Sequence, residues 1–468
     1  MQNSPDFFPE RVPVPHRIRW IEAGWFSLGI PFLALGLFGW RRSIGAAAWG
    51  SLFYALALSS VIRSTGQELS HENFALPLLI AHWALSVWAP ELRTRRTRVA
   101  AHIGAALMLA LALCSWDLIQ FYIALRLLHR AWREIRARDN ESAPDDAWWF
   151  EYAALLAVGL LDPYHRGQGW LLSAPMGLAH GLTILRIFRG RLLQRAGTIR
   201  VRQMGAQIGL LLAVFLVTLF VRHFQISNGA YGHFTELLWA KLRYLNVKPE
   251  DPARLTFSQR ILWVPALNST NWPLLQMLFP VLLWLTIPFI VLLFYKSRKS
   301  PDPRVGELLF AWTISVVAFL FFARFHVFLS LFCCMAIGLG WSFIPSRAWW
   351  VKILIGALIG TGLFAESAHT VQRPGQWGRV NVYFKELNEL TAWLSRNVSP
   401  DPVLANFGVS GSIAAYGKCA VILHPKFENA ELRQRVREYG EHLFLGDEKS
   451  FRDWADALGG AVLRPRIR

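Results

Sequence analysis

The chain has 468 residues, of which 54% are hydrophobic and 22 are tryptophan, and its mean hydropathy is +0.31. A net charge of +18 would suggest nucleic-acid binding in a soluble protein, but most Arg and Lys residues lie in short gaps between apolar runs. That distribution is typical of membrane topology, with a minor contribution from anionic lipid, so no nucleic-acid partner is predicted. The cysteines show no metal-like spacing, and Cys114, Cys333 and Cys334 are interpreted as packing residues. No metal or other cofactor is predicted.

Nine apolar runs have the length of membrane spans. At about 1.5 Å per helical residue, each covers much of a hydrocarbon core of about 30 Å. The runs do not alternate as barrel strands do, so they predict a polytopic α-helical membrane protein. Three weaker crossings keep the loop charges alternating and bring the total to about twelve helices. The clear runs are Phe26–Trp40, Ile44–Ile62, Phe74–Ala89, Val99–Cys114, Met204–Val221, Leu274–Tyr295, Leu308–Phe322, Val327–Ile344 and Ile353–Ala365; the weaker ones are Leu118–Leu128, Trp148–Leu161 and Gly169–Leu185.

The arginine-rich gaps fall in alternate connections and are therefore assigned to the cytosol by the positive-inside rule. The long loop after Arg222, the turn at Arg324 and everything after Glu366 then face outward. The first helix must run inward, which leaves the polar head outside although it has no export signal. Either one helix is miscounted, or a crossing upstream of Met1 is missing from the chain.

Three regions are predicted along the chain. Residues 1–23 form a polar segment, residues 24–366 form a transmembrane domain with a long outer loop at 222–272, and residues 367–468 form a small α/β domain on the outer face. Within this last region, helical spacing and apolar stretches predict helices at Tyr383–Asn397, Asn429–Tyr439 and Lys449–Leu458, and strands at Pro402–Asn406, Ala420–His424 and Ala461–Leu463.

Glu68, His71 and Glu72 lie directly before an apolar helix at the outward side. Carboxylate and imidazole groups at a membrane interface can act as an acid, a base or a ligand, so these three are the catalytic candidates. The alternative is a capped helix start, with Ser70 or Asn73 as the cap.

Arg324 and His326 form a cationic pair in the turn between two very apolar helices. A charge at that position is costly unless it meets an anion, and a lipid phosphate is the expected one. The alternative is an arginine that reaches to the interface along its own apolar stem. The long outer loop adds His233, Lys241 and Asp251, although packing against the tail would also account for that loop.

Several segments resemble the dumpy-nineteen family of protein C-mannosyltransferases, which are multi-helix GT-C enzymes. Ile422–Arg435 resembles the family run V-N-H-P-H-Y-E-D-A-D-L-R-A-R and brings in His424 and Arg433. Gly232–Leu242 resembles A-H-I-x-x-L-L-x-x-K-F, His71–Pro77 resembles R-E-S-F-S-Y-P, and Gly306-Glu307-Leu308 matches G-E-L. Arg324–Phe332 is similar to R-x-K-L-F-L-T-P-H, with His326 in place of the lysine.

The resemblance implies transfer of mannose from a polyprenyl-phosphate donor to a protein or peptide acceptor on the non-cytosolic side. Arg324, His326 and His233 would then face the donor phosphate or its lipid. The host membrane would be the bacterial cell membrane or the endoplasmic reticulum. The family's first helix and first outer loop, which carry an acidic residue for the acceptor, have no counterpart in Met1–Glu22. We therefore expect little activity from this chain alone, and a separate polypeptide could supply that segment.

Two other functions are compatible with the sequence. One is a catalytically incomplete relative that binds the lipid-linked sugar without turnover. The other is a lipid or solute transporter, which the lack of a detectable inverted repeat and the large outer domain disfavour.

Overall fold

The computed structural model describes residues 14–62, 70–137, 146–196, 199–225, 232–263, 267–345, 349–372, 384–424, 427 and 429–458. The chain divides into two compact units. The first contains residues 1–227 and 270–371, and the second contains residues 228–269 and 372–468. This division groups residues 228–269 of the long outer loop with residues 372–468, and the predicted domain boundaries stay a prediction.

Almost every described element is a helix. The first part of the chain contains α1 (Val14–Ser27), α2 (Gly29–Arg41), α3 (Ile44–Leu56), α4 (Leu58–Val61), α5 (His71–Trp88), α6 (Arg95–Ser115), α7 (Ile119–Arg136), α8 (Asp146–Leu161), α9 (Pro163–Gly167), α10 (Ala174–Ala196) and α11 (Arg200–Gln225). Next come α12 (Gly232–Arg243), α13 (Phe257–Leu262), α14 (Trp272–Leu278), α15 (Leu282–Lys299), α16 (Pro303–Phe321), α17 (His326–Ser342) and α18 (Trp349–Gln372). The tail contains α19 (Phe384–Asn397), α20 (Phe407–Tyr416), α21 (Ala430–Phe444) and α22 (Glu448–Ala457). Because α1 begins at Val14, the predicted polar segment 1–23 already contains part of a helix.

Among the described residues, six helical segments are long and apolar enough to cross a membrane, and the bent pair α14 and α15 makes a seventh if it is counted as one span. The chain is therefore an integral membrane protein. The predicted total of about twelve crossings is not confirmed, because α3 and α8 are short and α7 carries several arginines. The six segments are Ile18–Arg41, Arg95–Ser115, Arg200–His223, Pro303–Phe321, Ala323–Ser342 and Trp349–Gln372.

Helix α17 is the buried centre of the first unit, and small residues let α3 approach it closely. A Cβ atom on Gly50 of α3 would lie 2.9 Å from the carbonyl oxygen of Cys334, and one on Gly338 of α17 would lie 2.6 Å from the carbonyl oxygen of Ala46. Ala46 and Gly50 are four residues apart, as are Cys334 and Gly338, so both helices present a small-xxx-small surface. Close backbone contact replaces the hydrophobic effect that is absent in lipid.

In the second unit, the predicted strands are largely wrong within the described residues. Pro402–Asn406 and Ala420–His424 meet only at one isolated parallel bridge, between Val403 and Val421, so the α/β assignment is not confirmed. The predicted strand Ala461–Leu463 lies outside the described residues. The three predicted helices are present as α19, α21 and α22, and α20 was missed. Leu394, Val403, Ile413 and Cys419 form one small core of this unit.

Candidate functional site

The start of α5 carries buried polar groups. The Ser70 hydroxyl caps the helix by accepting a hydrogen bond from the Glu72 backbone nitrogen at 3.3 Å, which agrees with the capped-start interpretation. Glu72 is fully buried and Asn73 nearly so. A buried carboxylate at the edge of a membrane domain is expensive without compensating partners, so its surroundings indicate what the site can do.

Arg324 supplies that compensation. Its Nε donates to Glu72 Oε1 at 3.0 Å from the 3₁₀ turn Ala323–Phe325, which joins α16 to α17. The guanidinium carbon lies 5.8 Å from the ring centroid of Trp116, and that ring stacks on Phe328 at 5.5 Å. The Arg324 side chain is still 27% exposed, and its two terminal nitrogens make no hydrogen bond to any residue in the described part of the chain. The guanidinium is therefore held in place on one edge and open to an anion on the other.

Glu22 of α1 is a third charged group here, and the sequence analysis did not select it. It is 3% exposed, and its Oε1 accepts hydrogen bonds from the Ser70 backbone nitrogen at 3.2 Å and from Asn73 Nδ2 at 2.6 Å. Two buried carboxylates, Glu22 and Glu72, thus flank the first turn of α5. No motif marks Glu22, and it lies in the segment that was interpreted as a polar head.

The other outward candidates differ from expectation. His71 is exposed, so it does not share the buried surroundings of its neighbour Glu72. His326 is buried, and its Nδ1 lies 2.9 Å from the carbonyl oxygen of Ala323, which closes its own turn. Glu68 lies outside the described residues. The structure therefore brings together Glu72 and Arg324 from the predicted set.

In the second unit, Lys241 of α12 is fully buried. Its Nζ donates to Ser269 Oγ at 3.0 Å and lies 5.0 Å from the ring centroid of Trp263. Burial lowers the pKa of Lys241 to about 7. The Ser269 hydroxyl and the Trp263 ring therefore hold the Lys241 side chain within this unit.

A lysine of this kind makes stability depend on pH. Between pH 7 and about 10.4 the unfolded chain still binds the Lys241 proton and the folded chain does not, so the free energy of unfolding should rise with pH across that window. Lys241→Met should abolish most of the rise, measured by thermal unfolding of the full chain in detergent. Lys248→Met, at an exposed lysine of the same segment, is the matched control and should keep it. An unchanged slope in Lys241→Met would contradict the assignment.

The remaining loop and tail candidates have different surroundings. Asp251 is exposed, caps the turn Pro252–Arg254 and lies 3.8 Å from Arg254. Arg433 donates to the carbonyl oxygen of Phe427 at 2.5 Å and lines a groove of about 420 Å³ with Glu236, Thr256 and Arg437. His424 is half-buried. His233 belongs to α12, and its side chain lies outside the described part.

A second polar site lies inside the first unit, and the sequence analysis missed it. The lining of a cavity of about 950 Å³ contains more arginines than acidic residues. Arg126, Arg130 and Glu151 are among the lining residues. Arg126 Nη2 donates to Glu151 Oε1 at 3.1 Å, and Arg130 Nη1 donates to Glu151 Oε2 at 2.9 Å. Arg126 Nε also lies 3.3 Å from Glu307 Oε1. Arg126 and Glu151 were not selected from the sequence, Arg130 was counted only in an arginine-rich gap, and Glu307 was noted only within Gly306-Glu307-Leu308.

The sequence matches no known protein-family profile and no curated protein. Its fold is similar to that of the archaeal oligosaccharyltransferase AglB from Archaeoglobus fulgidus. The AglB complex with an inhibitory peptide and a dolichol-phosphate has a TM-score of 0.68 at 13% identity, over 96% of this chain and 57% of AglB. Apo AglB has a TM-score of 0.66 at 13% identity, over 96% of this chain and 58% of AglB. AglB with Zn and sulfate has a TM-score of 0.66 at 12% identity, over 96% of this chain and 55% of AglB.

The chain therefore spans little more than half the length of AglB. Identity at this level shows the fold alone, and it does not confirm the particular resemblance to C-mannosyltransferases.

Proposed function

We propose that the chain is a membrane glycosyltransferase domain that binds a polyprenyl-phosphate-linked sugar beside Arg324 and transfers the sugar on the non-cytosolic side. The observation that carries this proposal is the half-paired guanidinium. Glu72 holds its Nε edge, and the two terminal nitrogens remain open to an anion. A guanidinium fork is well matched to two phosphate oxygens. The AglB structure with a dolichol-phosphate supports this ligand class for the fold.

The proposed chemistry is displacement at the anomeric carbon. The bond from that carbon to the phosphate oxygen breaks, the phosphate leaves with the electron pair, and the acceptor atom forms the new bond. Arg324 stabilises the charge that develops on the leaving phosphate. The proton that the acceptor loses must pass to a base. Glu22, the second buried carboxylate at this end of α5, is the candidate for that base. Glu72 acts here as a positioning residue, because its carboxylate holds Arg324.

Two acceptors remain open. The resemblance to C-mannosyltransferases favours a tryptophan carbon and mannose as the sugar. The AglB structure tethered to an acceptor peptide with an NVT sequon, with a TM-score of 0.56 at 11% identity over 96% of this chain and 57% of AglB, favours an asparagine amide. A separate polypeptide that completes the site stays a prediction, as does the bacterial or endoplasmic-reticulum location.

The test uses the purified full chain in lipid nanodiscs. Native mass spectrometry should detect a bound polyprenyl phosphate and no bound polyprenyl alcohol, which lacks the charged group. Incubation with polyprenyl-phosphate mannose and peptides that contain either tryptophan or an N-x-T sequon then identifies the acceptor by mass. Binding without transfer would support the catalytically incomplete relative. Equal binding of the phosphate and the alcohol would overturn the proposal. Movement of the lipid across a vesicle membrane would favour the transporter.

A further inference from the structure

Three residues of different chemistry converge away from Arg324 and Glu72. Cys114 is the penultimate residue of α6, Asp162 stands between α8 and α9, and His165 lies in α9. One donor atom from each lies within 4.8 Å of the donors of the other two. No metal site was predicted from the sequence, because Cys114 is far from Asp162 and His165 in the chain and only the fold brings it beside them.

The imidazole of His165 is built into this cluster. The residue is 2% exposed, and its Nδ1 is in close contact with Asp162 Oδ2. Its Nε2 makes no hydrogen bond within the described residues and lies 3.5 Å from Asp117 Oδ1. The Tyr164 hydroxyl donates to the other oxygen of Asp117 at 2.6 Å and so orients that carboxylate. A buried histidine therefore lies between two carboxylates.

Helix capping explains only part of this arrangement. Asp162 is the N-cap of α9, and its Oδ2 accepts a hydrogen bond from the His165 backbone nitrogen at 3.3 Å. Capping accounts for the position of Asp162. It does not account for a buried imidazole nitrogen without a hydrogen bond, nor for a thiol beside the pair. Cys114 was interpreted as a packing residue, but it is exposed, unlike Cys333, Cys334 and Cys419.

We propose that Cys114, Asp162 and His165 bind a divalent transition-metal ion of the zinc type. Thiolate, imidazole and carboxylate together are the ligand set of Zn²⁺, and the hard cations Mg²⁺ and Ca²⁺ prefer oxygen alone. The donors of a tetrahedral zinc site lie about 3.5 Å apart, so the cluster closes around an ion by a shift of about 1 Å. Asp117 then accepts from the distal nitrogen of the ligating histidine, which is the usual partner of such a ring. This proposal is independent of the proposed glycosyl transfer.

The first test titrates the chelator-treated, reduced full chain with Co²⁺, a spectroscopic substitute for Zn²⁺. We expect one bound ion per chain, with a near-ultraviolet thiolate-to-cobalt band and visible bands of tetrahedral intensity. Cys114→Ser should remove the thiolate band, and Asp117→Asn should weaken Co²⁺ affinity by about 10–100-fold. His71→Ala, at an exposed histidine elsewhere, is the control and should change neither. A thiolate band that persists in Cys114→Ser, or Co²⁺ binding without any such band, would overturn the proposal.

A second measurement needs no substitution. Among the described cysteines, Cys114 is exposed and the other three are buried, so a maleimide should label Cys114 first in the folded chain. Zn²⁺ at a concentration of one or two equivalents should protect it, and removal of the ion by a chelator should restore labelling. Labelling of Cys114 at the same rate with and without Zn²⁺ would contradict the site, whatever happens to the variants.

Discussion

Glu151→Ala is expected to lower the free energy of unfolding by about 3–5 kcal/mol. The carboxylate of Glu151 neutralises Arg126 and Arg130 at 3.1 and 2.9 Å, and all three side chains are at most 16% exposed. Removal of the carboxylate leaves two guanidiniums inside the helical bundle. Glu307 can still pair with Arg126, but Arg130 loses its ion pair with Glu151. Breaking a buried pair from one side costs more than the pair contributes, because the remaining charge stays desolvated.

The measurement is chemical unfolding of the purified full chain in detergent, followed by tryptophan fluorescence. Glu91→Ala is the matched control, because Glu91 lies 3.9 Å from both Arg42 and Arg304 and is 42% exposed. An exposed pair of this kind contributes about 1 kcal/mol or less. Glu151→Gln should fall between the two variants, since the amide keeps one acceptor but no charge. Equal stability of the Glu151→Ala and Glu91→Ala chains would show that the network does not stabilise the bundle.

Continuous apolar runs located most of the membrane helices, because lipid surrounds them, and apolar residues at helical spacing located the helices of the tail. The run Val99–Cys114 lies within α6, and Tyr383–Asn397 agrees with α19 to one residue. The same pattern failed for α20, where small residues between Phe407 and Tyr416 were not recognised as a helix. Short apolar stretches beside it were interpreted as strands, but packing in the second unit leaves them as one bridge.

The candidate site was predictable only in part. Glu72 and Arg324 were expected at the same side of the membrane, because each stands at the outward end of a long apolar helix. Helical spacing alone could not predict the exposure of His71, because the next two residues, Glu72 and Asn73, are consecutive and both buried. Glu22 could not have been found, because its partners Ser70 and Asn73 belong to a different helix and no spacing links them. The network of Arg126 and Glu151 depends on tertiary contacts in the same way.

Arg324→Gln is expected to weaken binding of a polyprenyl phosphate by about 100-fold or more. The proposed contact consists of two hydrogen bonds from the guanidinium to phosphate oxygens, each contributing about 1.5–3 kcal/mol, and about 1.4 kcal/mol corresponds to a factor of ten. Arg324→Lys should retain part of the affinity, because the ammonium keeps the charge and loses the planar fork. Arg166→Gln, at an exposed arginine of α9, is the control for a general loss of positive charge and should bind as the unmodified chain does.

The substitution Glu72→Gln distinguishes a direct contact of Arg324 with the phosphate from a general electrostatic attraction. If Arg324 binds the phosphate in a fixed geometry, Glu72→Gln should weaken binding, because the guanidinium loses the carboxylate that holds its Nε at 3.0 Å. If Arg324 acts only as a diffuse positive charge, the same substitution should strengthen binding, since it removes a negative charge beside the ligand. The sign of the change in affinity therefore decides between the two. Weaker binding in Glu72→Gln, with retained phosphate selectivity over the alcohol, is the result that the half-paired guanidinium predicts.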